Sequence, residues 1–501
     1  MHLGVDFGTT RTIVARADRG NYPVVGFVDP DGDMADHFPS LVAATPDGLR
    51  FGFEALVAAR AGAPYLRSVK RLLGRPDVTA ETAVQVGEQE YPLLDVLTGF
   101  LTALRKALGH WSNIGPEFRD AKTCRVVASV PAHALGAQRF LTLEAFRQAG
   151  FDVAGLVNEP SAAGFEYTHR QSRTLTSRRN QVLVYDLGGG TFDASLVEVA
   201  GTRHDVVGSV GVNRLGGDDF DQVLCGVVRE AAGRPALEPA DAERLLEECR
   251  EAKERLSPQS KRITVEVSGQ PVTVAVDDFY AAAEGLVNAS LQAMAPLASA
   301  LADEVDQLSG QVAGIYLVGG GSGLPLVPRM LRERFGRRVH RSPYPAASTA
   351  IGLAIAADPT SGYSLADRLW RGVGVFRELD RGRAVGFDQL IDRNTALPAT
   401  GELTVTRRYQ AAHNVGWYRF VEYAGVDAHG EPLGDLAPIA EVRFPFDPSL
   451  QGRSHLDGVP VERWGHGPVV EESYRVDPNG LVSVRMTDTV TGYSQVFGLG
   501  G

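Results

Sequence analysis

The sequence has little cysteine. Cys124, Cys225 and Cys249 are the only three in 501 residues. They lie far apart and form no CxxC pair, which leaves a zinc ribbon unsupported. The odd count argues against a disulfide framework, so a reducing cytoplasm is the expectation. There is no Gly-Lys dipeptide, and a Walker phosphate loop, GxxxxGK[ST], is therefore excluded. Positive charge is not in excess either. Lys and Arg number 50 against 61 Asp and Glu, a net charge of −11. That is the wrong sign for a general binder of nucleic acid or anionic membrane. No run of ~18 apolar residues occurs, so no membrane span is expected. The opening residues Leu3-Gly4-Val5-Asp6-Phe7 carry neither the basic region nor the cleavage site of a secretory signal.

Glycine, by contrast, is plentiful, with 56 residues, and it is clustered. Four clusters follow or bracket strand-like apolar runs: Gly4-Val5-Asp6-Phe7-Gly8-Thr9-Thr10, Val184-Tyr185-Asp186-Leu187-Gly188-Gly189-Gly190-Thr191-Phe192-Asp193, Leu215-Gly216-Gly217-Asp218-Asp219, and Leu317-Val318-Gly319-Gly320-Gly321-Ser322-Gly323. The first two share one plan: apolar strand, Asp, apolar residue, Gly and Thr, then a second strand. This reads as an internal duplication of a β-hairpin, with Asp6 and Asp186 180 positions apart. A turn without Cβ atoms brings backbone N–H groups close to an anion, and Thr hydroxyls add donors. An Asp at each strand end repels a bare phosphate but suits a hydrated divalent cation beside it. Two such hairpins would clamp a nucleotide's phosphates with Mg²⁺. The last cluster lacks GxGxxG spacing and a following acidic residue, so a Rossmann site is unsupported.

Four signatures in order then identify a family: Val5-Asp6-Phe7-Gly8-Thr9-Thr10, Asn158-Glu159-Pro160-Ser161-Ala162-Ala163, Asp186 to Asp193, and Leu317 to Ser322. The chain resembles the heat-shock protein 70 chaperones of the actin-like and sugar-kinase ATPase superfamily, strongly over about residues 1–360. The resemblance implies an α/β fold: a duplicated actin-like, ribonuclease H-like two-lobed ATPase domain followed by an antiparallel β-sandwich domain. It implies ATP or ADP with Mg, and slow ATP hydrolysis. Asp6 and Asp186 match the aspartates that hold Mg²⁺ through water. Gly8, Thr9, Thr10, Gly188, Gly189, Gly190 and Thr191 match the phosphate-binding turns. Lys70 matches the lysine that positions the γ-phosphate and the attacking water. Glu159 and Asp193 match the acids that order that water, and Thr191 shares the catalytic set. Gly216, Gly217, Asp218, Lys253, Ser257, Gly319, Gly320, Gly321 and Ser322 match further nucleotide contacts. By sequence alone, Lys70 with Arg67 and Arg71 also reads as an exposed basic segment.

Some positions depart from the family. Arg250 stands where it has an acid. Gly323 stands where it often has an arginine stacked on the adenine. Ala346 replaces an Asp, and Arg11 replaces the aromatic residue of eukaryotic members. Weaker adenine binding is the expectation. A helix over Asp241 to Ser257 buries Leu245, Cys249, Ala252 and Leu256 on one stripe, making Cys249 a core thiol. Pro131 and Arg139 match residues that relay nucleotide state, although an arginine on a helix is by default solvated. The arginines between His169 and Arg179 (Arg170, Arg173, Arg178, Arg179) have no interleaved aromatics and read as a solvated loop.

The expected organisation is an ATPase domain over 1–360, a linker over 361–370 and a peptide-binding-like β-domain over 371–501. The linker is more polar than the family's leucine run. Short alternating runs occur at Leu403 to Tyr409, Trp417 to Tyr423, Glu441 to Phe446, Glu472 to Val476 and Leu481 to Met486. Asp477-Pro478-Asn479-Gly480 is a hairpin turn. An ending at Gly501 leaves no room for the family's helical lid, so fast peptide exchange is expected. The partners expected are extended peptides and J-domain and nucleotide-exchange co-chaperones, with no nucleic acid and no membrane, and the protein is expected to be monomeric. The alternatives are a small-molecule (sugar) kinase of the same superfamily and a non-hydrolysing, nucleotide-gated interaction module.

Overall fold

The computed structural model describes residues 1–171, 175–299, 308–453 and 455–500. It is a mixed α/β protein whose chain divides into two compact units. Met1–Arg71, Thr102–Ala132 and Phe151–Leu365 make the first. Leu72–Leu101, His133–Gly150 and Ala366–Gly501 make the second.

The first unit holds two sheets of one plan. In the five-stranded sheet the order is Asp152–Asn158, Arg125–Val130, His2–Phe7, Arg11–Arg16, Phe38–Pro39. In the six-stranded sheet it is Val339–Arg341, Val312–Val318, Gln181–Leu187, Phe192–Ala200, Arg203–Val212, Ser364–Ala366. Each sheet centres on a strand that forms a tight hairpin with its successor. That strand also pairs in parallel with a later strand, which in turn pairs in parallel with another. The duplication read from two hairpins therefore extends to whole sheets. Val312–Val318 is buried at every residue, as a parallel strand covered on both faces must be. Helix Ser348–Ala357 lies against strand His2–Phe7 at Gly4, and against helix Glu159–Gln171 where Gly352 meets the Ala162 backbone. Leu183, Phe192, Phe220, Phe279 and Leu317 belong to one hydrophobic core cluster.

The second unit holds two four-stranded antiparallel sheets. Their orders are Ala384–Ile391, Gly372–Leu379, Val415–Val426, Pro432–Pro445, and Leu403–Gln410, Val469–Val476, Val482–Asp488, Ser494–Leu499. Burial alternates along Leu403–Gln410 and Val469–Val476, and Phe420, Phe444, Tyr474, Val484 and Met486 from the two sheets share one core. The five runs read from the sequence fall in these strands, except that Phe446 and Leu481 each lie one residue outside. The opening pair, Gly372–Leu379 and Ala384–Ile391, had no comparable pattern. In the predicted turn Gly480 has φ +77°, and Asp477 Oδ1 accepts from the N–H groups of Asn479 and Leu481 at 2.8 Å each.

Three expectations change. Arg139 is buried rather than solvated: on helix Gly136–Gln148, within the second unit, it donates to the Asn479 carbonyl at 3.2 Å, with Asp367, Glu422 and Asp477 around it. Three counter-charges replace the water that an exposed helix would supply. Arg170 belongs to helix Glu159–Gln171 and pairs with Glu166 at 2.5 Å, while Arg173 lies outside the described residues. Part of the expected linker forms strand Ser364–Ala366, and the Ser364 N–H donates to the Thr202 carbonyl at 3.1 Å. No helix among the described residues is long and apolar enough to cross a membrane.

Candidate functional site

A cleft of about 1070 Å³ in the first unit collects the glycine turns. Strands His2–Phe7 and Arg11–Arg16 pair with Phe7 opposite Thr12, leaving Gly8, Thr9 and Thr10 as the turn. Strands Gln181–Leu187 and Phe192–Ala200 pair with Asp186 directly opposite Asp193, and the Gly188 N–H donates to the Thr191 carbonyl at 2.9 Å. The turns pack too closely for side chains. A Cβ on Gly189 would meet Thr10 Oγ1 at 2.8 Å, and one on Gly216 would meet the Gly189 backbone at 2.6 Å. Gly319 has φ +82° and lies against Asp186 and Leu187. A Cβ on Gly321 would meet the Gly188 carbonyl oxygen at 2.8 Å.

Of the residues singled out in the sequence, Asp6, Gly8, Thr9, Thr10, Lys70, Glu159, Asp186, Gly188, Gly189, Thr191, Gly217, Asp218, Lys253, Ser257, Gly319, Gly320 and Gly321 line this cleft. Gly190, Asp193, Gly216 and Ser322 are buried and are not among the lining residues. Ser322 is fully buried with its hydroxyl on the Gly319 carbonyl at 2.8 Å. The N–H groups of Gly217 and Asp218 donate to the carbonyls of Gly188 at 2.9 Å and Gly189 at 2.7 Å. They thus brace the second hairpin.

The charges in the cleft are unbalanced. Lys70 is buried and donates to Glu159 Oε1 at 2.6 Å. Asp6, Asp186 and Asp193 surround that pair electrostatically. Burial, then the Glu159 charge, push Asp6 up to about 7, with Lys70 and a Ser129 hydrogen bond at 2.8 Å partly opposing. Asp193 is pushed up to about 8 by burial and Glu159. Asp186 lies well above the usual carboxylate range, from burial and then from Glu159, Asp6 and Asp193. Burial alone would lower the Lys70 ammonium, but the carboxylates around it raise it overall, so it stays charged. Four carboxylates against one ammonium make a site that calls for further positive charge. Among the described residues no three His, Cys, Asp or Glu side chains are placed to hold one ion directly.

Sequence reasoning missed several members. Ser68 has φ +60°, a strained value for a residue with a Cβ. It turns the chain into the short 3₁₀ segment Val69–Gly74 that carries Lys70, and its hydroxyl donates to Asp218 at 2.9 Å. Arg67 and Arg71 are not an exposed basic segment. Arg67 pairs with Glu247 at 2.7 Å, and Arg71 with Asp218 at 3.4 Å and Asp219 at 3.3 Å. Arg250, where the family has an acid, pairs with Glu247 at 2.9 Å, Asp221 at 3.1 Å and Asp218 at 3.4 Å. Lys253 donates to the Gly217 carbonyl at 2.8 Å and pairs with Asp221 at 2.6 Å. Cys249 is a core thiol, as expected, with Cys225 as its neighbour. The one sequence signal for Ser129 was a lone hydroxyl in an apolar strand.

Comparison with known proteins agrees with this arrangement. The family model described as Hsp70 protein matches residues 2–415. The chain is 30% identical over 514 residues to the chaperone protein HscA of Enterobacter sp. (strain 638), covering 98% of this chain and 76% of that protein. It is 30% identical over 515 residues to HscA of Escherichia coli O17:K52:H18 (strain UMN026 / ExPEC), with the same coverage. The glycine-turn cleft, the buried lysine among carboxylates and these matches together place the chain in the heat-shock protein 70 family of ATP-dependent chaperones.

Proposed function

We propose that the cleft binds Mg·ATP and hydrolyses it by in-line attack of water, and that the second unit holds an extended peptide segment. The observation that carries the reading is the Lys70–Glu159 pair set among Asp6, Asp186 and Asp193 beside turns that leave no room for side chains. Magnesium, held through its waters by Asp6 and Asp186, would neutralise charge on the β- and γ-phosphates. Thr9, Thr10 and Thr191 donate hydroxyls to phosphate oxygens. Lys70 presents a point charge to the γ-phosphate. Glu159 and Asp193 orient the attacking water and accept its proton as the bond to the bridging oxygen of ADP breaks. Gly8, Gly188, Gly189 and Gly190 let the backbone approach the phosphates. Gly216, Gly217 and Asp218 hold the second turn in place. Gly319, Gly320, Gly321, Ser322, Lys253 and Ser257 form the nucleoside side of the site.

The organisation proposed is the ATPase domain over 1–360, the linker over 361–370 and the β-sandwich over 371–501. A cleft of about 910 Å³ in the second unit, walled by Phe376, Leu379, Tyr409, Trp417 and Val461, is the proposed peptide site. Nucleotide state is proposed to reach it through Pro131 and Arg139, in a monomeric cytoplasmic protein served by J-domain and nucleotide-exchange partners. The kinase and the non-hydrolysing module are not favoured by the family assignment.

The test is phosphate release by wild type and Lys70→Ala, each with and without an extended apolar peptide. The expected result is turnover that peptide stimulates in wild type and that the variant loses. Turnover intact in the variant would overturn the catalytic assignment, and turnover indifferent to peptide would overturn the coupling.

A further inference from the structure

The sequence leaves the base of the nucleotide without its usual arginine, because residue 323 is glycine. The structure fills that position from elsewhere in the chain. A Cβ on Gly323 would have one heavy atom within 4 Å, an Nη of Arg341 at 3.4 Å. Arg341 ends strand Val339–Arg341, which is hydrogen-bonded alongside strand Val312–Val318, the strand that leads into the Gly319 to Gly323 turn. Both Gly323 and Arg341 line the cleft. The Arg341 side chain makes no ion pair or hydrogen bond among the described residues.

The other cleft arginines near the nucleoside side are committed or further off. Arg250 is held by three carboxylates. Arg329 lies over the Tyr280 ring at 5.2 Å and reaches Glu333 at 4.0 Å. Arg332 lines the cleft but comes no nearer than 4 Å to the Gly323 position.

We propose that Arg341 is the base-stacking arginine of this nucleotide site, its guanidinium lying on a purine face in the room that Gly323 leaves open. The proposal rests on the nucleotide reading above. A guanidinium is planar and weakly hydrated, and it stacks on aromatic faces as an ammonium does not. A bare backbone at residue 323 leaves the slot free for it. The expectation of weak adenine binding, drawn from Gly323 with Arg250, Ala346 and Arg11, is then replaced by ordinary affinity supplied from a different strand.

Calorimetric titration of ADP with Mg²⁺ into four proteins tests this: wild type, Arg341→Ala, Arg341→Lys, and Arg341→Ala combined with Gly323→Arg. Arg341→Ala is expected to weaken ADP about tenfold, the size of a desolvated cation–π contact. Arg341→Lys should lose nearly as much, since it keeps charge but not the plane. The double variant should recover most of the loss, which a merely misfolded protein would not. Arg341→Ala binding like wild type overturns the proposal, as does full affinity in Arg341→Lys, which would assign the residue a charge contact. Wild type that binds no ADP at all overturns the nucleotide reading itself and is distinct from either.

Discussion

Lys70 sets the charge balance of the cleft. Its ammonium is buried against Glu159 at 2.6 Å, and removing one member of a buried pair leaves the other charge without compensation, at a cost of about 3–5 kcal/mol. Lys70→Ala is therefore expected to lower phosphate release by about 10²-fold or more and also to lower the thermal midpoint, both read on one preparation. A variant with normal turnover would show that the lysine serves packing alone. His204 gives a pH prediction outside the cleft. It is fully buried beside Phe165, with Nε2 3.1 Å from the Thr168 hydroxyl, and burial lowers its pKa from 6.5 to about 4. A lowered pKa means that the unfolded chain takes up the proton first. Stability from this residue is present above 6.5 and is lost as pH falls toward about 4. Midpoints measured from pH 7 to pH 4.5 should fall less steeply for His204→Gln than for wild type, and equal slopes would sink the assignment.

At the scale of elements, glycine does opposite jobs in different helices. In helix Ser348–Ala357, Gly352 lets the backbone meet that of Ala162, and Gly4 does the same for the strand beneath. Gly352→Val forces two helices apart and is expected to cost about 1–3 kcal/mol or more, read as a lower urea midpoint. Gly226, inside helix Gly217–Ala231, has nothing within 4 Å of its Cβ position. Gly226→Ala is expected to stabilise by about 0.5–1 kcal/mol, because alanine loses less freedom in a helix. A stabilising Gly352→Val or a destabilising Gly226→Ala would contradict the packing described. The hairpin elements were legible because their information is local: alternating apolar residues, an Asp at the strand end and a Gly-Thr turn. The opening strands of the second unit were not, since Gly372-Val373-Gly374-Val375 carries two glycines that mask a strand's usual preference.

For the whole molecule, ligand and fold are linked by mass action. A nucleotide that binds only the folded first unit adds about 2.7 kcal/mol at a hundred times its Kd. Mg·ADP should raise the thermal midpoint with the logarithm of its concentration once that exceeds Kd, and chelation of the metal with EDTA should remove most of the gain, because Asp6, Asp186, Asp193 and Glu159 then face the phosphates with Lys70 as the cation among them. A midpoint that ignores EDTA would show that the carboxylates do not act through a cation. The chain covers 76% of the HscA proteins it resembles.

The sequence by itself determined the duplicated hairpins, the glycine turns that meet in the cleft and the family, because each of these is written in a few adjacent positions whose chemistry is local. Tertiary structure alone decided what stands beside them. Ser129 reaches Asp6 across 123 positions of sequence, and Lys70 reaches Glu159 across 89. Arg139 is buried rather than solvated, and Arg341 comes to the place of a missing side chain at Gly323. None of these has a local pattern, because what fixes each is the pairing of strands and the close approach of backbones that only the folded chain brings together.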